Sequence, residues 1–425
     1  MSEEVLSISA PPASPPLRAL YVHHVGILGG SSRSLYELLR GFPKDTVAPH
    51  YVGPKGKLVE MLGSLGIPVE NCRGISQFDN CAYSYYRGLR WIILLREVLL
   101  LLPTYLALAR ARDRWGRFEV VHINDITTPF VAWLAKVLFP ESVVVVHARA
   151  VQRTAETRRK RWLRNLYLKC ADAVVAINEN VSESLPDGLP VHVIHNGIAV
   201  PADADAILEK THRPFSAAMV GVLARAKGCP DFLEAAAICR DRGYDIRFLL
   251  IGGGLRSANG WRDRVLQWLN FKEDIGTEMS LLIARLGLES IVVFRPFTTD
   301  LASIYREIDV LCFPSYLDAP GRPIFEAGFF GVPSIAAISR PKADTFVAGE
   351  TGLLVEPGDP EALATAIMSL HDHPEDRKRM GAAARRMAHQ RFDARENARE
   401  MLSLYRRLRD ARFAAAGQCQ SGAGA

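Results

Sequence analysis

The 425-residue sequence lacks the patterns that mark several classes of protein. Its seven cysteines are odd in number and scattered, and no pair has zinc-ligand spacing, which argues against a disulfide framework and for reduced, mostly buried thiols. No Asp-x-Asp metal motif stands out, and no motif supports a pyridoxal-binding lysine. The net charge of +6 is too small to indicate nucleic acid, although it suits anionic substrates or an anionic membrane surface.

The chain also lacks a clear targeting or membrane-spanning segment. Residues 1–16 contain acidic residues and several prolines, which predicts a disordered tail and not a signal peptide. The most apolar segment, 88–112, is interrupted by Arg96, Glu97 and Pro103, which disfavours a transmembrane helix. Two interpretations of it stay open: buried helices of the first domain, or a surface helix that touches lipid. We expect a cytoplasmic protein, at most peripheral on the inner face of the membrane.

Along the chain, short apolar runs alternate with helical patterns. This alternation predicts two α/β domains, each a doubly wound parallel sheet. The first series of strands and helices ends near residue 197, and a second begins near residue 214. The polar segment between them, 198–213, is predicted to be a linker.

The most informative stretch is 309–336. Its apolar run Val310 to Phe313 predicts a buried strand, and Pro323 suits the first turn of a following helix. The loop between them lies at the carboxyl end of a strand, where open parallel sheets bind ligands. The helix N-terminus suits a phosphate, and the carboxylates of Asp318 and Glu326 flank it. We therefore expect a nucleotide here, with ribose and sugar hydroxyls near the two carboxylates.

Two other strand-to-helix loops are candidates for anion binding. Gly29 and Gly30 follow the first predicted strand, where they form either an anion cradle or a plain tight turn. Arg225 and Lys227 follow the predicted strand 215–222, where two cations would either neutralise a diphosphate or be solvated loop charges.

His147 ends the predicted strand that begins at Ser142. A lone histidine is more often a structural hydrogen-bonding group, but the carboxyl end of a strand favours a functional one. The basic segment that follows, over residues 149–169, is either a solvated helix face or a surface for phosphate-bearing acceptors or anionic lipid.

These motifs resemble those of retaining glycosyltransferases of family 4, which have the GT-B fold. The resemblance spans roughly residues 18–412 and is strongest over 215–360. Glu326 matches the family glutamate that holds the ribose hydroxyls, and Asp318 takes the place of the glutamate that faces the donor sugar. His147 matches a family histidine near the donor sugar by position. Donor-binding roles are implied for Gly29, Gly30, Gly253, Gly321, Arg322 and Glu326.

The sequence departs from the family pattern at several positions. Lys227 matches the family lysine, but Val222 stands where the family has an arginine, so Arg225 can only be a substitute cation. Pro320 occupies a position that usually supplies a backbone N–H, and Asp344 stands where a later family loop ends in glutamate. Residues 255–280 look longer than this region needs and predict an inserted amphipathic helix.

The resemblance implies a division of the chain and a reaction. The divisions are a disordered tail over 1–16, a first domain over 17–197, a linker over 198–213, a nucleotide-sugar-binding domain over 214–390, a helix over 391–412 that crosses back to the first domain, and a tail over 413–425. The reaction is metal-independent transfer of a hexose from a UDP- or GDP-sugar to a sugar or lipid-linked acceptor, with retention, in cell-surface polysaccharide or glycolipid synthesis. Lys227, Arg225 and loop N–H groups would stabilise the leaving diphosphate.

Two alternatives remain open at this point. One is a non-catalytic binding subunit that kept the fold, which the departures at Val222, Asp318 and Pro320 motivate. The other is an epimerase or a phosphorylase built on the same fold.

Overall fold

The computed structural model describes residues 15–82, 92–199, 214–252, 275–296, 298, 300–317 and 319–422, with side chains described as far as residue 414. Asp318, Gly253, the predicted linker from residue 200 onward and most of the predicted insertion 255–280 lie outside the described residues. The predicted domain boundaries therefore stay predictions.

The first half of the chain forms a seven-stranded parallel sheet in the order β3-β2-β1-β4-β5-β6-β7. Its strands are β1 (Leu17–Val22), β2 (Val47–Pro54), β3 (Val69–Cys72), β4 (Val120–Ile123), β5 (Val143–Ala148), β6 (Ala173–Ala176) and β7 (Val191–Val193). Its helices are α1 (Gly30–Gly41), α2 (Lys57–Ser64), α3 (Ile93–Leu99), α4 (Leu101–Trp115), α5 (Pro129–Leu138), α6 (Arg158–Cys170) and α7 (Glu179–Ser184). The inner strand β5 is fully buried, which explains its run of four consecutive valines.

The second half forms a six-stranded parallel sheet in the order β10-β9-β8-β11-β12-β13. Its strands are β8 (Phe215–Val220), β9 (Ile246–Ile251), β10 (Val292–Arg295), β11 (Val310–Phe313), β12 (Ser334–Ala336) and β13 (Gly352–Leu354). Its helices are α8 (Cys229–Asp241), α9 (Ile275–Leu286), α10 (Leu301–Tyr305), α11 (Arg322–Phe329), α12 (Pro360–Asp372) and α13 (Pro374–Arg391). The expected fold class, two Rossmann-like domains of the GT-B type, is confirmed.

The last helix, α14 (Ala394–Gly422), lies against the first sheet. Ala398, Met401 and Tyr405 are buried in the apolar layer that also contains Tyr21 of β1. Arg409 reaches Glu119, with 3.2 Å between Nη1 and Oε1. This helix is therefore part of the packing of the first domain.

Of the two interpretations left open for segment 88–112, burial holds for only one face of the described helices α3 and α4. α4 buries Thr104, Ala107, Leu108 and Ala111, but the opposite side of α3 and α4 leaves large apolar side chains in solvent. These are Ile92, Leu95, Val98, Leu99, Leu102, Tyr105 and Leu106. Among the described residues, no helix combines the length and the hydrophobicity that crossing a membrane requires.

Candidate functional site

A cleft of about 280 Å³ is lined by residues from both halves of the chain. The first half contributes the segment 28–30 and Arg33, which follow β1. The second half contributes residues that follow the carboxyl ends of β8, β9 and β11. Parallel sheets bind ligands at this edge, so the cleft lies where the topology favours a site.

The N-termini of two helices point into this cleft from opposite sides. α1 begins at Gly30 with Gly29 as its N-cap, and α11 begins at Arg322 with Gly321 as its N-cap. A Cβ built at Gly29 or Gly30 meets nothing within 4 Å, so these glycines leave open space that a ligand can fill. At Gly321 a Cβ would lie 2.6 Å from the Phe313 ring, so the close packing of loop on strand requires glycine.

Glu326 is a buried carboxylate with several partners. Only 4% of the residue is exposed. Arg322 donates to it, with 2.7 Å between Nε and Oε1, and the Tyr305 hydroxyl lies 3.2 Å from Oε2. Arg33 of α1 approaches from the other half of the chain, with 3.7 Å between Nη1 and Oε1. These contacts fix the orientation of the carboxylate at the wall of the cleft.

Arg322, which lies in the second half of the chain, also contacts residues of the first half. Its Nη1 lies 3.4 Å from Ser34 Oγ and 3.4 Å from the carbonyl oxygen of Gly197, both in the first half. Its Nη2 lies 3.9 Å from Glu37. The two arginines and two glutamates thus form one ion-pair cluster across the cleft.

Lys227 reaches the cleft from the turn before α8. Its Nζ lies 5.2 Å from the centre of the Phe313 ring, and burial lowers the pKa of the ammonium group. Among the described residues no carboxylate lies within ion-pair distance of Lys227. A partly desolvated cation in this position suits an anionic ligand group.

Arg225 points elsewhere. One edge of its guanidinium group donates to both carboxylate oxygens of Glu278 on α9, with distances of 2.8 Å from Nε and 2.7 Å from Nη2. The side chain is 64% exposed and does not line the cleft. Val222 does line it and is 71% exposed. The role of Arg225 as a substitute cation stays a prediction.

His147 ends β5 as expected but is buried, with 3% exposed, and is not among the residues that line the cleft. It contacts His122 and Arg149. Of the predicted site residues, the structure brings together Gly29, Gly30, Lys227, Gly321, Arg322 and Glu326. Asp318 and Gly253 lie outside the described residues, so their placement is untested.

The sequence-based reasoning missed Arg33, Arg149 and Tyr305. A signal existed for Arg33, because a cation in the first turn of α1 is disfavoured by the helix dipole and needs another purpose. Arg149 follows the same strand as His147 and shares its sheet edge. Tyr305 carries no local signal. Among the described residues, no group of His, Cys, Asp or Glu side chains is arranged to hold a metal ion.

Two sheets that face a shared cleft define the GT-B class of α/β proteins. The sequence model described as Glycosyltransferase Family 4 matches residues 28–200, and the model described as Glycosyl transferases group 1 matches residues 202–387. The chain belongs to glycosyltransferase family 4.

Individual relatives agree with this assignment. A D-inositol 3-phosphate glycosyltransferase of Corynebacterium urealyticum is 27% identical over 361 residues, which cover 77% of this chain and 80% of the relative. One of Corynebacterium kroppenstedtii is 35% identical over 193 residues, but these cover only 44% of this chain and 39% of that protein. The crystal structure of Anabaena HepE in complex with UDP superposes with a TM-score of 0.69 at 20% identity, covering 91% of this chain and 99% of that one.

Proposed function

We propose that this protein transfers a hexose from a nucleotide-diphosphate sugar to an acceptor hydroxyl, with retention and without a metal. The observation that carries the proposal is the pairing of Lys227, which has no carboxylate partner among the described residues, with two helix N-termini in the same cleft. All three features favour negative charge at one place. A diphosphate provides that charge, and more of it develops as the bond to the sugar breaks.

The neighbouring residues suggest how the donor is held. Glu326 accepts hydrogen bonds from the ribose hydroxyls, and Lys227 with the N–H groups of the α11 N-terminus binds the diphosphate. Gly29 and Gly30 let the donor approach the backbone of the first domain. Asp318 would hold hydroxyls of the donor sugar. Arg225 would supply a second cation only after leaving Glu278.

The base and the acceptor are also part of the proposal. UDP and GDP are the candidate nucleotides, and the UDP complex of a protein with the same fold makes UDP the first to test. A sugar or lipid-linked acceptor suits the apolar surface of α3 and α4, and the setting would be synthesis of cell-surface polysaccharide or glycolipid.

Contact with an anionic membrane is the second part of the proposal. Leu95, Leu99 and Leu102 are each more than 60% exposed on the surface of α3 and α4. α4 packs beside α5, which exposes Trp133 and Val137, and α5 packs beside α6. The exposed cations of α6 are Arg158, Arg161, Arg164 and Lys169. An apolar band beside a cationic helix is the pattern of a protein that lies on an anionic bilayer.

The site is tested by nucleotide binding and turnover. Titration calorimetry with UDP, GDP and ADP should show that one nucleotide binds, and that Glu326→Ala abolishes the binding. Glu361→Ala is the matched control, because Glu361 is 57% exposed and pairs with Arg242 outside the cleft. Binding of no nucleotide would contradict the proposal. Binding without transfer to any acceptor would favour the non-catalytic subunit, which the exposed Val222 in place of arginine already suggests. The anomeric configuration of the product, read by NMR, tests retention.

Membrane contact is tested by flotation with vesicles. Binding is expected to vesicles that contain phosphatidylglycerol and to weaken at high salt. The double variant Leu95→Gln, Leu102→Gln should weaken it at least about tenfold, since burial of each leucine contributes about 1.5–3 kcal/mol. Leu281→Gln, at a 66% exposed position on α9, is the control. Equal binding by the double variant would contradict the assignment.

A further inference from the structure

The first turn of α1 carries a positive charge where the helix dipole disfavours one. Arg33 ends this turn, and the turn, which the structure describes in full, contains no acidic residue to offset the charge. The acidic residue of α1 is Glu37, one turn further on, with 4.0 Å between Arg33 Nε and Glu37 Oε1. An ion pair of that length contributes little to a helix, so the helix alone does not explain Arg33.

A partner for Arg33 lies on α11, in the other half of the chain. Arg33 Nη1 lies 3.7 Å from Glu326 Oε1. In the opposite direction, Arg322 of α11 approaches α1, with 3.9 Å between Arg322 Nη2 and Glu37 Oε1 and 3.4 Å between Arg322 Nη1 and Ser34 Oγ. Each half therefore directs an arginine at a glutamate of the other half. We call Arg33, Glu37, Arg322 and Glu326 the cross-cleft cluster.

The contacts between the halves within this cluster are long. Inside the second half, Arg322 Nε lies 2.7 Å from Glu326 Oε1, which is an ordinary charge-assisted hydrogen bond. The cross-cleft distances of 3.4 to 3.9 Å exceed the usual range of about 2.7–3.2 Å. The gap is local, because elsewhere the halves touch: the Glu179 N–H of α7 donates to Asp344 at 2.9 Å.

Two atoms of the cross-cleft cluster are buried and have no hydrogen-bond partner among the described residues. They are Arg322 Nη2 and Glu37 Oε2, a donor from one half and an acceptor from the other. A buried donor and a buried acceptor that stay unpaired both cost free energy. If the halves approached by about 1 Å at this place, the ion pair between these two residues would become a direct hydrogen bond.

The position of Glu37 makes its effect on a ligand indirect. Arg33, Arg322 and Glu326 line the cleft, but Glu37 is not among the described residues that do. Glu326 still has room for a ligand, because a carboxylate has about four acceptor positions. Arg322 and the Tyr305 hydroxyl each use one of them. A ribose can therefore bind Glu326 while both contacts persist.

We propose that Arg33 and Glu37 are positioning residues that hold Glu326 in place from across the cleft. Arg33 acts on Glu326 directly, and Glu37 acts through Arg322. For the role of Glu326 as the ribose ligand, this rests on the proposed function. A diphosphate attracts the N-termini of α1 and α11, one from each half, and draws the halves together. The contacts of the cross-cleft cluster then shorten, and their formation adds to the affinity for the nucleotide.

The affinity test uses Glu37, because its side chain does not form the cleft wall. In calorimetry with the full chain, the Kd of UDP or GDP, whichever binds, should be at least about fivefold higher in Glu37→Gln than in the unsubstituted protein. Glu60→Gln is the matched control, since Glu60 also pairs with a cation of its own helix in the first half, Lys57 at 2.9 Å, but is 66% exposed. A Kd changed by less than about twofold in Glu37→Gln would overturn the proposal.

A distance measurement without nucleotide tests the contact between the halves by itself. Spin labels on Lys57→Cys of α2 and Lys378→Cys of α13 report the separation of the halves, and these lysines are 64% and 72% exposed. Cys81→Ser and Cys419→Ser are included to prevent labelling elsewhere, because the other cysteines are buried. The unsubstituted cluster should give a narrow distribution of distances, and bound UDP or GDP should shorten its mean.

Exchanging the two charges of α1 separates positioning from a role in the helix. The double variant Arg33→Glu, Glu37→Arg keeps the pair within α1 and places an acidic residue in the first turn, which suits the dipole. It also makes both contacts across the cleft repulsive. Its distance distribution without nucleotide should therefore be longer or broader, and an unchanged distribution would overturn the proposal. Urea unfolding shows whether this variant folds; if it does not, Glu37→Gln, which should also broaden the distribution, decides instead.

The two measurements distinguish this proposal from the proposed function. If neither UDP nor GDP binds the unsubstituted protein, the proposed function fails, and the distances still show whether the charges of α1 hold the halves together. If a nucleotide binds and Glu37→Gln binds it equally well, the positioning role is wrong and the transferase function remains.

Discussion

Replacing Lys227 with methionine should separate binding from stability. The ammonium group lies in the cleft over the Phe313 ring, and burial lowers its pKa. A cation whose pKa is lower in the folded state than in the unfolded state destabilises the folded state at neutral pH, and this cost disappears only as the pH rises past both values. The contact with the Phe313 ring offsets about 0.5–1 kcal/mol of that cost. Lys227→Met should therefore leave the stability of the empty protein unchanged or increase it.

The same substitution should weaken nucleotide binding. A hydrogen bond from an ammonium group to a charged oxygen contributes about 1.5–3 kcal/mol. Since about 1.4 kcal/mol corresponds to tenfold in affinity, the Kd for UDP or GDP should rise about 10- to 150-fold. Calorimetry measures the Kd, and urea unfolding measures the stability. Lys378→Met, which removes a lysine with 72% exposure on α13, is the control.

Two results would refute this reasoning. A Kd within about threefold of the unsubstituted protein would show that Lys227 does not contact the diphosphate. A loss of more than about 1 kcal/mol in the free energy of unfolding would show that the ammonium group stabilises the empty cleft, contrary to its burial without a carboxylate partner among the described residues.

Three further predictions concern the scaffold of the site. A left-handed backbone conformation at a non-glycine residue costs about 1–2 kcal/mol, and Gly228→Ala should destabilise the fold by more than that, because its Cβ would lie 1.9 Å from the Pro314 carbonyl oxygen. Gly243→Ala, with a similar positive φ and nothing near its Cβ, measures the backbone cost by itself. Equal losses of stability for the two variants in urea unfolding would contradict the predicted clash with Pro314. Asp359→Ala should lower the free energy of unfolding by about 0.5–2 kcal/mol, because the Asp359 side chain accepts a hydrogen bond from the Ala362 N–H at the start of α12. Asp359→Asn should retain most of this stability. Burial alone would raise the pKa of Asp344, but hydrogen bonds from His195 and the Glu179 N–H hold that pKa below its usual value. The stability that the carboxylate provides is therefore present above about pH 4 and lost as the pH falls through the folded pKa. The difference in unfolding free energy between the unsubstituted protein and Asp344→Asn should shrink over that range, and a difference independent of pH would exclude this ion pair as its source.

Much of the architecture follows from local sequence. Apolar runs such as Val143 to Val146 and Val310 to Phe313 have few alternatives to a buried strand, and glycine or proline marks where each element begins or ends. For the same reason the start of α11 and the place of Glu326 on it were predictable, because both depend on residues only a few positions apart.

Tertiary structure decided which side chains meet. Sequence spacing could not show that Glu278 holds Arg225 away from the cleft, because the two lie on separate elements, 53 positions apart. Nor could it show that Arg33 and Glu326 meet across the cleft, or that His147 is buried against Arg149 and His122.

The apolar segment 88–112 illustrates the same division. Its hydrophobic content predicted helices, and helices formed. Which face is buried depends on what packs against it, and the outer face of α3 and α4 has no covering element among the described residues. The sequence by itself determined the secondary structure, the two sheets and the loop that carries the site, since these depend on short-range preferences. The partners of each charged group were decided by the fold, because side-chain contacts depend on distances that only the packed chain sets.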